Sequence, residues 1–217
     1  APRLVHRRGA VDSVMAGLLR NITSLQDLEQ RTAEAADSNF LLYGALFIFL
    51  MQAGFGMLEV GAVRVKNTRN ILLKNLLDTC IGACVWWVLG YTLAYGGEGA
   101  FVGTPSAPAY SAGEPGADAA FVEPGKNWLH QFMYASASAT IVSGAVAERT
   151  TPYAYAAYSC VFMALIYPFI VHWAWSTHGW LSPKNDGAFL GGMIDFAGGG
   201  VVHLTGGTVA LVRPPAR

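Results

Sequence analysis

Five apolar runs, each long enough to cross a bilayer, constrain the fold of this 217-residue chain more than any other feature. A helix needs about 20 apolar residues to cross the hydrocarbon core, where its backbone groups must be bonded within the helix itself. Only 13% of the residues are charged, against about 25% in a typical soluble domain. The pattern predicts an all-α polytopic membrane protein with five transmembrane helices, at residues 40–63, 71–95, 128–147, 153–175 and 195–212.

The charges predict how these helices are oriented. Four basic residues with no acid among them follow the first run: Arg64, Lys66, Arg69 and Lys74. Short basic loops mark the cytoplasmic side of a membrane protein, whereas the connection 96–127 is acidic and rich in proline and glycine. We therefore predict that the tail, residues 1–38, lies outside the cytoplasm and that residues 214–217 lie inside. The 14 acids and 14 bases balance, so the net charge indicates no nucleic-acid partner.

Asp195 and His203 stand eight positions apart in a glycine-rich apolar run. Eight positions are a little over two turns of an α-helix, so a continuous helix would place both side chains near one face. Ionisable groups in a membrane segment are costly and by default indicate function. Two structural interpretations remain open. Asp195 could cap the fifth helix by accepting from the amides of Ala197 or Gly198, and His203 could be a histidine with a purely structural hydrogen bond.

Other polar residues within or beside the apolar runs have simpler explanations. The first helix is expected to begin at a cap among residues 37–39. Lys74 and Asp78 are one helical turn apart and are expected to pair. Glu59 lies near the end of its run and is expected to reach the interface or a partner. Pro168 predicts a kink in the fourth helix.

His172 and His178 raise the alternative of a metal site. Together with His203 they would make the chain a polytopic membrane enzyme. No acid or cysteine completes a set of zinc ligands around them, so we expect neither a metal nor another cofactor.

Several separate blocks of the sequence resemble ammonium transporters of the Amt, methylammonium permease and Rhesus family. The blocks are MQAGFGMLE at 51–59, VKNT at 65–68, NILLKNL at 70–76, ATIVSGAVAER at 139–149 and DFAGGGVVH at 195–203. The resemblance covers residues 39–211 in order. It implies an eleven-helix bundle of two inverted repeats that assembles as a homotrimer, of which this chain is similar to the first repeat, residues 39–213.

The resemblance also implies roles for five residues. Trp175 matches the tryptophan of the outer vestibule where ammonium is recruited, with Asp195 as the acid beneath it and the Ala197 carbonyl beside it. Tyr134 stands where the family usually has a gating phenylalanine, so its hydroxyl replaces an apolar ring edge. His203 matches the first of two pore histidines, and its partner belongs to the second repeat.

The function implied is transport of ammonium, ammonia or methylammonium across the plasma membrane, with no enzymatic activity. A cation gains about 0.5–2 kcal/mol over an aromatic face, whereas an unpaired ion in hydrocarbon costs far more. Separate passage of ammonia and its proton is therefore expected, with His203 lining the pore. The alternative is an ammonium-binding sensor with the same fold. Because one repeat does not enclose a pore, we expect this chain alone not to conduct.

Overall fold

The structure, a computed structural model, describes residues 2–104 and 124–212, with side chains at 22–104 and 125–212. Every regular element within these ranges is a helix, which confirms the all-α class. The chain divides into two compact units, Ala1–Phe40 and Leu41–Arg217. In the first unit, exposed polar residues pair along the helix: Arg31 Nε lies 3.1 Å from Asp27 Oδ2.

Seven α-helices account for most of the described chain. They are α1 (Pro2–Ala62), α2 (Thr68–Val85), α3 (Tyr91–Tyr95), α4 (Pro124–Ala145), α5 (Pro152–Val161), α6 (Tyr167–Trp175) and α7 (Thr205–Leu211). Three π-helical segments link them: Trp86–Gly90 joins α2 to α3, Phe162–Ile166 joins α5 to α6, and Gly199–Leu204 leads into α7. Short 3₁₀ turns lie at Val65–Asn67, Phe189–Gly191 and Phe196–Gly198.

Three helical stretches are long and apolar enough to cross a membrane: Ile22–Ala62, Val65–Tyr95 and Pro152–Trp175. A shorter apolar helix, Phe196–Leu211, lies at the position of the fifth predicted span. The helix α4 lies at the position of the third. The count of five transmembrane helices remains a prediction from the sequence.

The capping pattern predicts that the first helix begins at residues 37–39, but the structure shows no helix start there. The helix α1 runs without a break from Pro2 to Ala62, and the Ser38 hydroxyl donates to the Glu34 carbonyl oxygen at 2.7 Å, one turn earlier. A serine inside a helix bonds in this way, whereas a capping serine bonds to amides that follow it. Near Pro168 the structure has the π-helical segment Phe162–Ile166, and both prolines and π-bulges are sites where helices kink.

The helix α4 is central in the second unit. It packs against α2, α7 and the π-helical segment before α7. Small residues on α4 are completely buried there: Ala135, Ser138, Ala139, Thr140 and Ser143. Small side chains allow close backbone approach, and the larger core residues Trp86, Phe162 and Tyr167 fill the space between α2 and the α5–α6 pair.

Glu148 joins two connections at one end of this unit. Its carboxylate accepts from the Arg64 backbone amide at 2.8 Å, from Arg64 Nε at 3.0 Å and from Asn67 Nδ2 at 2.8 Å. Hydrogen bonds from Arg64 and Asn67 lower the pKa of Glu148 from 4.5 to about 2. The connection after α1 and the turn after α4 therefore lie together, and we call this part, residues 64–70 and 146–151, the basic end.

The opposite end is held together by aromatic side chains. Trp173 Nε1 donates to the Phe101 carbonyl oxygen at 2.7 Å, and the Trp180 amide donates to the Ala100 carbonyl oxygen at 3.2 Å. We call this part, residues 94–104 and 173–182, the aromatic end.

Candidate functional site

Trp175 and Asp195 are joined directly at the aromatic end. The helix α6 stops at Trp175, and the chain returns to the bundle at Asp195 after a connection of short turns. Trp175 Nε1 donates to Asp195 Oδ2 at 3.0 Å. Both residues are half-buried, so an indole and a carboxylate face the same partly open space. Such a pair offers a cation an aromatic face and a negative charge.

Asp195 does cap the following helix, but through other amides than the sequence predicts. Its Oδ1 accepts from the Gly200 amide at 2.6 Å, and its Oδ2 accepts from the Val201 amide at 3.3 Å. The reason is a break in the helix, because Ala197 and Gly198 adopt left-handed conformations with φ of 54° and 72°. The helix begins only at Gly199, so Asp195 and His203 do not share one continuous helix.

Ala197 has a backbone conformation that is unusual for a residue with a side chain. The left-handed region costs a non-glycine residue roughly 1–2 kcal/mol. Residues held in such conformations cluster at functional sites, where the surrounding structure maintains them. Here the Asp195 carboxylate, bonded to the amides beyond the turn, holds the turn closed.

Tyr134 lies directly against Trp175. Their ring centroids are 5.5 Å apart with an interplanar angle of 67°, an edge-to-face arrangement. One turn earlier on α4, the His130 ring packs on Tyr134 with centroids 4.8 Å apart. His130 is buried and lies against Gly44 of α1, where a Cβ would come within 2.8 Å of His130 Nε2. No motif of the sequence includes His130, although its i, i+4 spacing from Tyr134 predicts that the two side chains share a face of α4.

His203 lies apart from this cluster. It sits on the segment Gly199–Leu204, and its side chain is exposed. The neighbouring Val201 and Val202 are buried, and the Ser138 hydroxyl donates to the Val202 carbonyl oxygen at 2.9 Å, which fixes the segment to α4. Within residues 2–104 and 124–212, His203 forms no hydrogen bond with another predicted site residue. The structure therefore brings together Trp175, Asp195 and Tyr134, but not His203.

His172 is not available to a metal. Its Nδ1 lies 2.8 Å from the Ala94 carbonyl oxygen and its Nε2 lies 2.5 Å from the Gly99 carbonyl oxygen. Both nitrogens of this buried ring thus face backbone acceptors, which pins the connection after α3. In the part of the chain that the structure describes, no group of three or more His, Cys, Asp or Glu residues could hold a metal ion.

The predicted pair of Lys74 and Asp78 does not form. Lys74 Nζ donates to the Ala147 carbonyl oxygen at 3.2 Å and to Thr150 Oγ1 at 2.9 Å. Asp78 instead accepts from Tyr155 at 2.5 Å and Ser159 at 2.6 Å. The Lys74 side chain reaches the turn between α4 and α5, whereas hydroxyl groups from α4 and α5 surround the buried Asp78 carboxylate.

Of the two positions expected for Glu59, the structure shows the one with a partner: the side chain is buried, with 7% of its surface exposed. Asn75 Nδ2 donates to Glu59 Oε2 at 2.7 Å, and the Ser143 hydroxyl contacts Glu59 Oε1. These partners are 16 and 84 positions away in the sequence. A pattern within one run could not reveal them.

Comparisons with known proteins agree with the resemblance stated above. The model of the Ammonium Transporter Family matches residues 39–213. Ammonium transporter 1 member 3 of Solanum lycopersicum is 38% identical over 180 residues, which cover 82% of this chain and 38% of the relative. Ammonium transporter Amt2 of Archaeoglobus fulgidus is 40% identical over 174 residues, which cover 79% of this chain and 36% of the relative.

Solved structures give the same result for the fold. A structure described as a Sensor Amt Protein superposes with a TM-score of 0.68 at 34% identity, covering 80% of this chain and 42% of that one. Candida albicans Mep2 superposes with a TM-score of 0.67 at 27% identity, covering 81% of this chain and 37% of that one. The chain therefore spans well under half the length of these relatives.

Proposed function

Because the chain belongs to the ammonium transporter family and is an integral membrane protein, we propose that it recruits ammonium at its aromatic end and forms part of the path across the membrane. The observation that supports this most is the bond from Trp175 Nε1 to Asp195 Oδ2, with Tyr134 packed edge-on against the indole. A small cation can contact aromatic faces and a carboxylate there. The negative charge of the carboxylate favours a cation over an apolar ligand.

Recruitment as a cation is followed by passage as a neutral molecule. Contact with an aromatic face contributes about 0.5–2 kcal/mol, which does not offset the cost of moving an ion into hydrocarbon. Ammonium therefore gives up one proton to water near the aromatic end, and the ammonia that remains crosses an apolar lumen. The imidazole of His203 both donates and accepts hydrogen bonds, and its exposed position on Gly199–Leu204 suits the wall of such a lumen.

The whole protein remains part of this proposal. We infer that the working unit holds two inverted repeats, of which residues 39–213 form the first, and that it assembles as a homotrimer in the plasma membrane. The tail, residues 1–38, lies outside and the basic end faces the cytoplasm. The substrate is ammonium, ammonia or methylammonium, and the surrounding partner is the lipid bilayer. In this proposal the chain is not an enzyme, and it binds neither a cofactor nor a nucleic acid.

Equilibrium binding of labelled methylammonium to the purified chain in lipid bilayers tests the recruitment site. We expect Trp175→Leu to weaken binding by about 2- to 30-fold, the equivalent of 0.5–2 kcal/mol. Trp173→Leu is the matched control, because Trp173 lies two positions away and donates to a backbone carbonyl instead of Asp195. Equal weakening by both substitutions, or no binding by the unmodified chain, would refute the assignment.

A further inference from the structure

Glu59 lines a cavity at the basic end that the recruitment site does not use. The cavity has a volume of about 350 Å³ and lies between the end of α1 and the end of α4. Glu148 and Arg149 also line it. A Cβ added to Gly144 would come within 3.4 Å of Glu59 Oε1, so the glycine leaves that carboxyl oxygen open on the side of the cavity.

Two acceptors, Glu59 and the Thr140 carbonyl, lie within reach of the single proton of the Ser143 hydroxyl. The Ser143 hydroxyl contacts Glu59 Oε1 and also lies 2.8 Å from the Thr140 carbonyl oxygen. A serine hydroxyl has one proton and can donate to only one of these acceptors. If Glu59 is a neutral carboxyl group, it donates to Ser143 Oγ and the serine donates to Thr140, so both contacts are hydrogen bonds.

Asp78 provides the contrast within the same helix bundle. Three hydroxyl groups reach its carboxylate, from Tyr155 at 2.5 Å, Ser159 at 2.6 Å and Thr140 at 3.4 Å. Each can donate, so the ionised form is satisfied without a further proton. Of Glu59 and Asp78, the one that opens toward the cavity is therefore the one whose contacts favour an added proton.

We propose that Glu59 is a proton-exchange site reached from the basic end. In the exchange, the carboxyl O–H bond breaks and the proton passes to a water molecule in the cavity, which leaves a carboxylate and a hydronium ion. The Ser143 hydroxyl then turns from Thr140 to the carboxylate, and Asn75 Nδ2 continues to donate to it. The reverse step restores the neutral group.

The charges that face Glu59 allow both states. The Lys74 ammonium of α2 adds a positive charge nearby, and Asp78 of the same helix adds a negative one. On the cavity wall, Glu148 is engaged by Arg64, and Arg149 is the remaining cation. The proposal rests on the proposed function in one respect: separate passage of ammonia and its proton requires a group near the inner side that takes up and releases protons.

Infrared spectroscopy of the chain in lipid bilayers tests the site. At neutral pH the exposed carboxyl groups are ionised, so we expect one carbonyl stretching band of a protonated carboxyl group, and we expect it to shift when water is replaced by D₂O. Glu59→Gln removes this band, and the matched variant Asp78→Asn leaves it unchanged. A band that persists in Glu59→Gln, or that does not shift in D₂O, overturns the proposal.

A second measurement covers the case in which Glu59→Gln does not fold. The unmodified chain is labelled with carboxyl-¹³C glutamate or, separately, with carboxyl-¹³C aspartate. The band must move with labelled glutamate and stay with labelled aspartate, and the opposite result assigns the proton to an aspartate and overturns the proposal. The band does not depend on methylammonium binding, so this inference and the proposed function fail separately.

Discussion

Asp195 caps a helix and also belongs to the proposed recruitment site. It accepts two backbone amides at the start of the Gly199–Leu204 segment and the indole N–H of Trp175. The amides hold the carboxylate in place, and the carboxylate in turn orients the Trp175 ring against Tyr134. The capping and recruitment interpretations of this residue are therefore compatible.

The bond between Trp175 and Asp195 predicts a stability difference between two neighbouring tryptophans. A hydrogen bond to a charged group contributes about 1.5–3 kcal/mol, and one between neutral groups contributes about 0.5–1.5 kcal/mol. Trp175→Phe should therefore lower the free energy of unfolding more than Trp173→Phe, whose indole donates to the Phe101 carbonyl. Denaturant unfolding in detergent measures both. A larger loss for Trp173→Phe would contradict the assigned bond.

At the scale of elements, α4 connects the two ends of the second unit. Its first half carries His130 and Tyr134, of which Tyr134 packs against Trp175, and its end carries Ser143 beside Glu59. Between them, Ser138 holds the segment that bears His203. A helix with large side chains could not approach α7 and α2 this closely. The small residues of α4 therefore set the distance between α4 and the segments that bear His203 and Glu59's partner Asn75.

Two adjacent glycines of α7 test this close approach. A Cβ on Gly206 would come within 2.7 Å of the Ser138 carbonyl oxygen, whereas a Cβ on Gly207 has no neighbour within 4 Å. We expect Gly206→Ala to cost about 1–3 kcal/mol of stability through overpacking. Gly207→Ala should be neutral or stabilising by up to about 1 kcal/mol. Thermal unfolding measures both, and equal effects would show that α7 does not pack as described.

The contacts of Glu148 at the basic end predict a pH dependence. The pKa of Glu148 is about 2 in the folded protein, compared with 4.5 for a glutamate without these contacts. The folded state therefore favours the ionised form. The stabilisation is fully present above pH 4.5 and is lost as the pH falls towards 2. Glu148→Gln should therefore flatten the stability profile between these values. An unaltered profile in Glu148→Gln would contradict this.

At the scale of the whole molecule, sequence patterns predict helix positions better than they predict polar contacts. Apolar runs predict the positions of the helices, because whether a segment can span the hydrocarbon core depends on the length and composition of that segment alone. The helix break at Ala197 and the partners of Glu59 depend on packing between distant parts of the chain. Motifs shared with the family bring Trp175, Asp195 and Tyr134 into the prediction, whereas no motif includes His130, which contacts Tyr134 in the structure.

Uptake of labelled methylammonium tests the central claim most directly. Residues 39–213 are placed in Amt2 of Archaeoglobus fulgidus in place of the matching segment, since this chain alone is not expected to conduct. We predict uptake by cells that express this chimera, and a loss of at least about tenfold, or 1.4 kcal/mol, in its His203→Ala variant. Methylammonium binding by the chimera without uptake would point to a sensor, and uptake that His203→Ala leaves unchanged would contradict the proposed path.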